Sequence, residues 1–231
     1  MEQIKNLLPQ TLESLEHPSK AVPVSTRLLA KFDDFQTLND PQLERMKDEA
    51  VKFINDLFNN RTPRWLSFLG SPAAGKTMLA KRIWHLFRDH RHMKIDWDRS
   101  KATETNDCAG RIIRWRGGFL NWGKAVNDRM MQGDYEFLQD IQSWDFFVLD
   151  DIISEYEKHR SLSASKLYGI FESRLNKWTV ITANASLEQI GDILDPRIAS
   201  RMIRGGSTIV DVDLPDWNLR AIANPLTVAA N

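Results

Sequence analysis

The chain has 231 residues and balances 31 Lys and Arg against 31 Asp and Glu, for a formal net charge of zero. That balance excludes a protein that coats nucleic acid through bulk charge, so any contact with DNA has to come from a local basic patch. Cys108 is the only cysteine, which excludes an intramolecular disulfide and fits a reducing cytoplasm, and no apolar run approaches the ~18 residues of a membrane span.

Residues 1–31 read as a separate segment. Ile4, Leu7, Leu8, Leu12 and Leu15 fall at helical spacing with Pro9 interrupting them, and His17 to Ser25 reads as a linker. The acidic start is unlike a secretory signal. Such a stripe suits packing on its own domain and docking on a partner equally well. Asp40-Pro41 then predicts a helix start, with Asp40 as N-cap and Pro41 in the first helical position. Leu43, Met46, Ala50, Val51, Ile54, Leu57 and Phe58 continue it, and Asn59 to Pro63 ends it.

Trp65 to Leu69 is a short apolar run that reads as a buried parallel strand. Gly70-Ser71-Pro72-Ala73-Ala74-Gly75-Lys76-Thr77 follows as GxxxxGKT, a complete Walker A phosphate loop. Its glycines let consecutive backbone N–H groups face phosphate oxygens. Lys76 would reach the β- and γ-phosphates, and the Thr77 hydroxyl would ligate Mg²⁺. Met78, Leu79, Ile83, Leu86 and Phe87 then recur at helical spacing, giving the strand–loop–helix order this chemistry requires.

A polar stretch from Asp89 to Gly110 leads to a predicted strand over Arg111 to Trp115, then a helix carrying Trp122, Val126, Met130 and Met131. A second short helix is expected near Tyr135 to Ile141. Arg99, Lys101, Arg111, Arg114, Trp115, Arg116, Trp122 and Lys124 cluster here, with Gly117-Gly118 between the tryptophans. Basic groups interleaved with aromatics suit single-stranded DNA; the same pattern also fits a strand with a solvated basic face and Trp115 in the core. His85, His90, His92 and Cys108 match no standard zinc spacing.

Phe146 to Leu149 followed by Asp150-Asp151 has the form of a Walker B strand. Asp150 would bind Mg²⁺ and Asp151 would orient or deprotonate the attacking water. A helix over residues 163–176 precedes a buried strand read over Trp178 to Asn184, which ends in the polar Asn184. In a P-loop sheet the strand between the Walker A and Walker B strands carries such a polar residue beside the γ-phosphate; Asn184 also suits a cap or turn. Asp195 to Arg204 places Arg197, Arg201 and Arg204 on one short helix, and Ile209 to Leu214 alternates as a half-buried strand.

GSPAAGKT, FFVLDD, TVITAN and DPRIASRM, in this order and spacing, resemble AAA+ ATPases of the DnaC/IstB type. These are bacterial and phage helicase loaders and the ATPase subunits of transposases. Lys31 to Phe35 is similar to the family's entry into the domain. The resemblance implies a three-layer α/β P-loop fold with a parallel central sheet and no full helical lid. It divides the chain into a partner-docking segment and linker (1–31), an ATPase domain (32–220) and a tail (221–231). It implies ATP and Mg²⁺, with nucleotide held by Gly70 through Met78 and metal by Thr77 and Asp150. Lys76, Asp151, Asn184 as sensor 1 and Arg201 as a finger toward the adjacent subunit would carry hydrolysis; Arg220 would be a sensor 2. Arg111, Arg114, Trp115, Arg116 and Lys124 would face single-stranded DNA in a pore. The implied partners are a replicative helicase or a transposase, through the N-terminal segment, and further copies of the chain through the ATP site. Two rival readings are a transposition regulator acting on duplex DNA and a small P-loop kinase acting on a metabolite.

Overall fold

In a computed structural model, residues 32–58, 61, 64–90, 94–96, 111–113, 115–153, 160–204 and 207–215 are described. The Asp40 carboxylate accepts from the backbone of Gln42 at 2.8 Å and of Leu43 at 3.3 Å, and so caps α1 (Pro41–Phe58) as the sequence predicts. The chain continues through β1 (Trp65–Gly70), α2 (Lys76–His90), β2 (Lys94–Asp96), β3 (Arg111–Ile113), β4 (Gly117–Asn121) and α3 (Trp122–Asp128). Then come α4 (Glu136–Ser143), β5 (Phe146–Asp150), α5 (Arg160–Ser173), β6 (Trp178–Thr182), α6 (Leu187–Ile193), α7 (Pro196–Ile203) and β7 (Thr208–Val212).

Five strands form one parallel sheet in the order β4-β5-β6-β1-β7. β5 and β6 are buried along their whole length, as near-continuous apolar strands must be when helices cover both faces. Alternation divides their side chains. Phe146, Val148, Trp178 and Val180 join Leu66 and Phe68 in a core under α1 and α2. Phe147, Leu149 and Ile181 face the other way, into a core with Trp122, Ile141, Phe171, Ile198 and Met202 from α3, α4, α5 and α7. The result is a three-layer α/β/α fold with a P-loop between β1 and α2.

Several expectations need correction. The strand expected over Arg111 to Trp115 is present as β3 (Arg111–Ile113), which pairs antiparallel with β2 in a separate two-stranded sheet, and Trp115 is not in a strand. The central sheet instead uses Gly117–Asn121, which the glycine pair disguised as a turn. A Cβ on Gly117 would lie 2.5 Å from the Phe87 ring, and one on Gly118 would lie 2.0 Å from the Trp144 ring. The edge strand is thus wedged between two aromatics, and only glycine fits. The helix expected over 163–176 runs from Arg160 to Ser173, and Met130 and Met131 sit in a short 3₁₀ turn beyond α3. Met78 does not share the core face of α2: it is exposed, whereas Leu79, Ile83, Leu86 and Phe87 are buried.

The segments 1–31 and 221–231, together with Arg114 and Arg220, lie outside the described residues. No described helix is long and apolar enough to cross a membrane.

Candidate functional site

The C-terminal ends of β1, β5 and β6 bring the three sequence motifs together. β6 lies between β1 and β5, the placement the Asn184 expectation requires. The phosphate loop leaves β1 with Gly70 at φ +99° and approaches α2 with Gly75 at φ +93°. A Cβ on Gly70 would fall 2.1 Å from the Val212 carbonyl, so the loop needs a glycine to pass under β7. Gly70 N–H donates to the Ala185 carbonyl and Ser71 N–H to the Val212 carbonyl, both at about 3 Å. Ser71 Oγ donates to Asp213 Oδ1 at 3.2 Å. The loop is therefore fastened on both flanks.

Lys76 is 5% exposed. Its Nζ donates to the Gly70 carbonyl at 2.9 Å and to the Ser71 carbonyl, which curls the ammonium into its own loop. Burial pushes its pKa down to about 8, against the opposing pull of Asp151, Asp211 and Asp150. A buried lysine held by neutral carbonyls fits a polyanion at this spot.

Asp150 is 4% exposed and accepts from three neutral donors. Thr77 Oγ1 and Thr182 Oγ1 each reach Oδ1 at 2.8 Å, and Asn121 Nδ2 reaches Oδ2 at 3.3 Å. Thr77 and Asp150 thus stand side by side with lone pairs to spare, a donor set that suits a hard divalent cation. Asp151 follows in the left-handed region, at φ 55°. Its N–H donates to Thr182 Oγ1 at 2.9 Å, and Asn184 Nδ2 donates to its Oδ1 at 3.3 Å. Thr182 therefore ties both acids to β6, and Asn121 holds the first from β4. Sequence reasoning missed both, because a strand threonine and a helix-capping asparagine carry no signature of their own.

A cavity of about 650 Å³ opens here, lined by Ala73, Ala74, Gly75, Lys76, Thr77, Met78, Lys81, Arg82, His85 and Asn184. Its size is in the range of small-molecule sites. Met78, Lys81, Arg82 and His85 form one face of α2 by spacing. Arg82 Nη2 donates to Asp34 Oδ2 at 2.7 Å, and the Phe35 ring lies 2.8 Å from where a Gly75 Cβ would be. The segment after residue 31 thus packs directly against the phosphate loop.

The remaining predicted residues lie elsewhere. Trp115 is half-buried against Phe87, with ring centroids 6.3 Å apart. Arg116 is exposed, its guanidinium donating to the Ser143 carbonyl at 3.2 Å. Lys124 is exposed on α3, and Arg111 begins β3. Arg201 on α7 is bound within its own subunit: its guanidinium pairs with Glu172 and donates to Tyr168 Oη at 3.0 Å.

No family model matches the chain, and no curated protein matches it in sequence. Solved structures do match. The DnaC helicase loader aligns with a TM-score of 0.56 at 20% identity, covering 81% of this chain and 99% of that one. DnaI aligns with a TM-score of 0.58 at 18% identity over 84% of this chain and 93% of that one. The replication initiator DnaA bound to AMPPCP and single-stranded DNA aligns with a TM-score of 0.51 at 17% identity over 78% of this chain and 50% of that one. The fold is therefore that of an α/β P-loop NTPase. It is similar to the folds of DnaC and DnaI over nearly the full length of each solved structure.

Proposed function

We propose that this protein is an ATPase of DNA replication that loads a replicative helicase onto single-stranded DNA. The observation that carries the reading is the convergence of the phosphate loop, the Asp150–Asp151 pair and Asn184 at one end of the sheet. The fold around that site is shared with the DnaC helicase loader along 99% of its chain. DnaA bound to AMPPCP and single-stranded DNA supports the same pairing of ligands for this fold.

The residues divide the work. Gly70 to Thr77 present backbone N–H groups to phosphate, with Met78 beside them on the cavity wall, and Lys76 neutralises the β- and γ-oxygens. Thr77 and Asp150 hold Mg²⁺. Bound ATP–Mg²⁺ supplies the phosphoryl group whose loss separates two states of the protein. Asp151, held by Thr182 and Asn184, orients the attacking water and takes its proton. Arg201 acts in trans on the site of an adjacent subunit. Residues 1–31 dock on the helicase. Arg111, Arg114, Trp115, Arg116 and Lys124 face single-stranded DNA.

The test combines the full chain with a hexameric replicative helicase and single-stranded DNA coated with its binding protein. The wild type is expected to promote helicase loading and unwinding when ATP is present, and Lys76→Ala is not. Asp151→Asn should keep nucleotide bound but turn over ~10²–10⁴-fold more slowly. Filaments on duplex DNA with no effect on the helicase would overturn the loader reading in favour of a transposition ATPase. Phosphorylation of a small acceptor would overturn both.

A further inference from the structure

We propose that Tyr168 and Glu172, one turn apart on α5, are positioning residues for Arg201: they bind one edge of its guanidinium and turn the other toward an anion on a neighbouring subunit. The inference rests on the reading of Arg201 as a residue that acts in trans.

A guanidinium carries five N–H donors in a fixed plane. In Arg201, Nε donates to Glu172 Oε1, and Nη2 reaches both that oxygen and Tyr168 Oη, the latter at 3.0 Å. Nη1 makes no hydrogen bond among the described residues. One edge is therefore bound and the other, among the described residues, unspent. The Arg201 carbon centre also lies 5.4 Å from the centroid of the Tyr168 ring. The Tyr168 hydroxyl and Arg201 together hold the Glu172 carboxyl below the usual carboxylate range, so the three groups form a closed set.

The other arginines of this region show why Arg201 is distinct. Arg197 also sits over Tyr168, at 4.8 Å, but it pairs with Asp195 two residues away, and its side chain is 67% exposed. Arg174 is fully buried, with four hydrogen bonds to the protein. Arg201 combines a side chain only 15% exposed, a partner on a different helix and an unused edge. Its ordering is complete before a neighbour arrives, which is what pre-organisation of a binding group requires.

Two readouts on the full chain test this. The first needs no nucleotide. The Arg201 Nε–Hε resonance, assigned by its loss in Arg201→Lys, should exchange slowly with water in the wild type and quickly in Glu172→Gln and Tyr168→Phe. An unprotected Nε–Hε in the wild type, or one unaffected by either substitution, overturns the proposal. The second is hydrolysis at assembling concentrations. Both substitutions should lower kcat tenfold or more at unchanged KM, within the ~10²-fold that a 1 Å misplacement costs. Lys76→Ala subunits bind no nucleotide but offer an intact Arg201, so mixing them with Glu172→Gln subunits should restore turnover. Wild-type or faster turnover in both variants, or a loss that mixing does not restore, overturns the proposal. Arg201→Ala in the same mixture separates the two ideas. If it is restored while Glu172→Gln and Tyr168→Phe are fully active, the trans role stands and the positioning role falls. If Arg201→Ala is not restored, the trans role fails and takes the positioning role with it.

Discussion

The two ends of the central sheet treat polar groups in opposite ways. At the C-terminal ends of β1, β5 and β6, Lys76, Thr77, Asp150, Asp151 and Asn184 bond mostly to one another and to their own loop, beside an open cavity. At the opposite end, Arg174 closes the structure. Its Nη1 donates to the Ile141 and Trp144 carbonyls, its Nη2 to the Trp178 carbonyl and its Nε to Thr179 Oγ1, all within 3.1 Å. The cation also lies 5.3 Å from the Phe147 ring centroid, and burial pushes its pKa down. Both ends bury a cation to which no carboxylate among the described residues is bonded. At one end the donors saturate fixed carbonyls and fasten α4, α5 and β6 together; at the other they stand at a cavity wall. Hydrogen-bonding capacity is used up at the closed end and kept at the open one.

Substituting each cation in turn should break this comparison cleanly. Arg174→Met leaves two buried carbonyls and one part-buried carbonyl without their donor, at ~1–3 kcal/mol each for the buried ones before relaxation. A loss of about 3–5 kcal/mol in chemical denaturation is expected, with nucleotide affinity of the folded protein unchanged. Lys76→Ala should do the reverse. It removes a buried charge that fixes no distant element, so the denaturation midpoint should hold or rise. Affinity for a fluorescent ATP analogue should fall by ~10²-fold or more, the scale of removing one partner of a buried charged contact. If Arg174→Met weakened nucleotide binding as much as Lys76→Ala does, the two ends would be coupled and the distinction lost.

The same contrast explains what the sequence makes legible. The phosphate loop, Asp150-Asp151 and the Asn184 strand end are contiguous motifs whose chemistry is written in neighbouring residues, and the fold follows from their strand–loop–helix order. Arg174 has no local signature, because its partners come from Ile141, Trp144 and Trp178. Thr182 is likewise an ordinary strand residue until β6 lands beside β5. β4 carries no strand signature because Gly117-Gly118 has the composition of a turn, and only the rings of Phe87 and Trp144 reveal why a strand needs it. Gly118→Ala therefore offers a smaller, sharper test. It should overpack Trp144 and lower stability by ~1–3 kcal/mol, with a change in Trp fluorescence. An unperturbed melt would mean that the edge strand is not wedged in this way.

The smallest expected effect is on proton balance, and it tests the open end alone. Lys76 titrates at about 8 in the folded protein, below the ordinary 10.5 of a lysine, chiefly because it is buried. The unfolded chain therefore holds more protons than the folded one between those values, and the group's contribution to stability rises with pH across that window. Below it, the folded state carries the full penalty of the buried charge. Polyphosphate arriving beside the ammonium favours its charged form and lifts the pKa again. Binding should then take up almost no proton well below pH 8, about half a proton near pH 8 and nearly a whole one by pH 9. Over the same range affinity should begin to fall, approaching about tenfold per pH unit. Isothermal titration with an ATP analogue, run in two buffers of different ionisation heat, reads that uptake directly. Lys76→Arg, which keeps its charge throughout this range, should take up no such proton. A flat uptake from pH 7 to 9 in the wild type would mean that the lysine is already fully charged when the nucleotide arrives. The carbonyls of Gly70 and Ser71 and the nearby aspartates would then offset its burial completely, and the open end would be less primed for an anion than its geometry indicates.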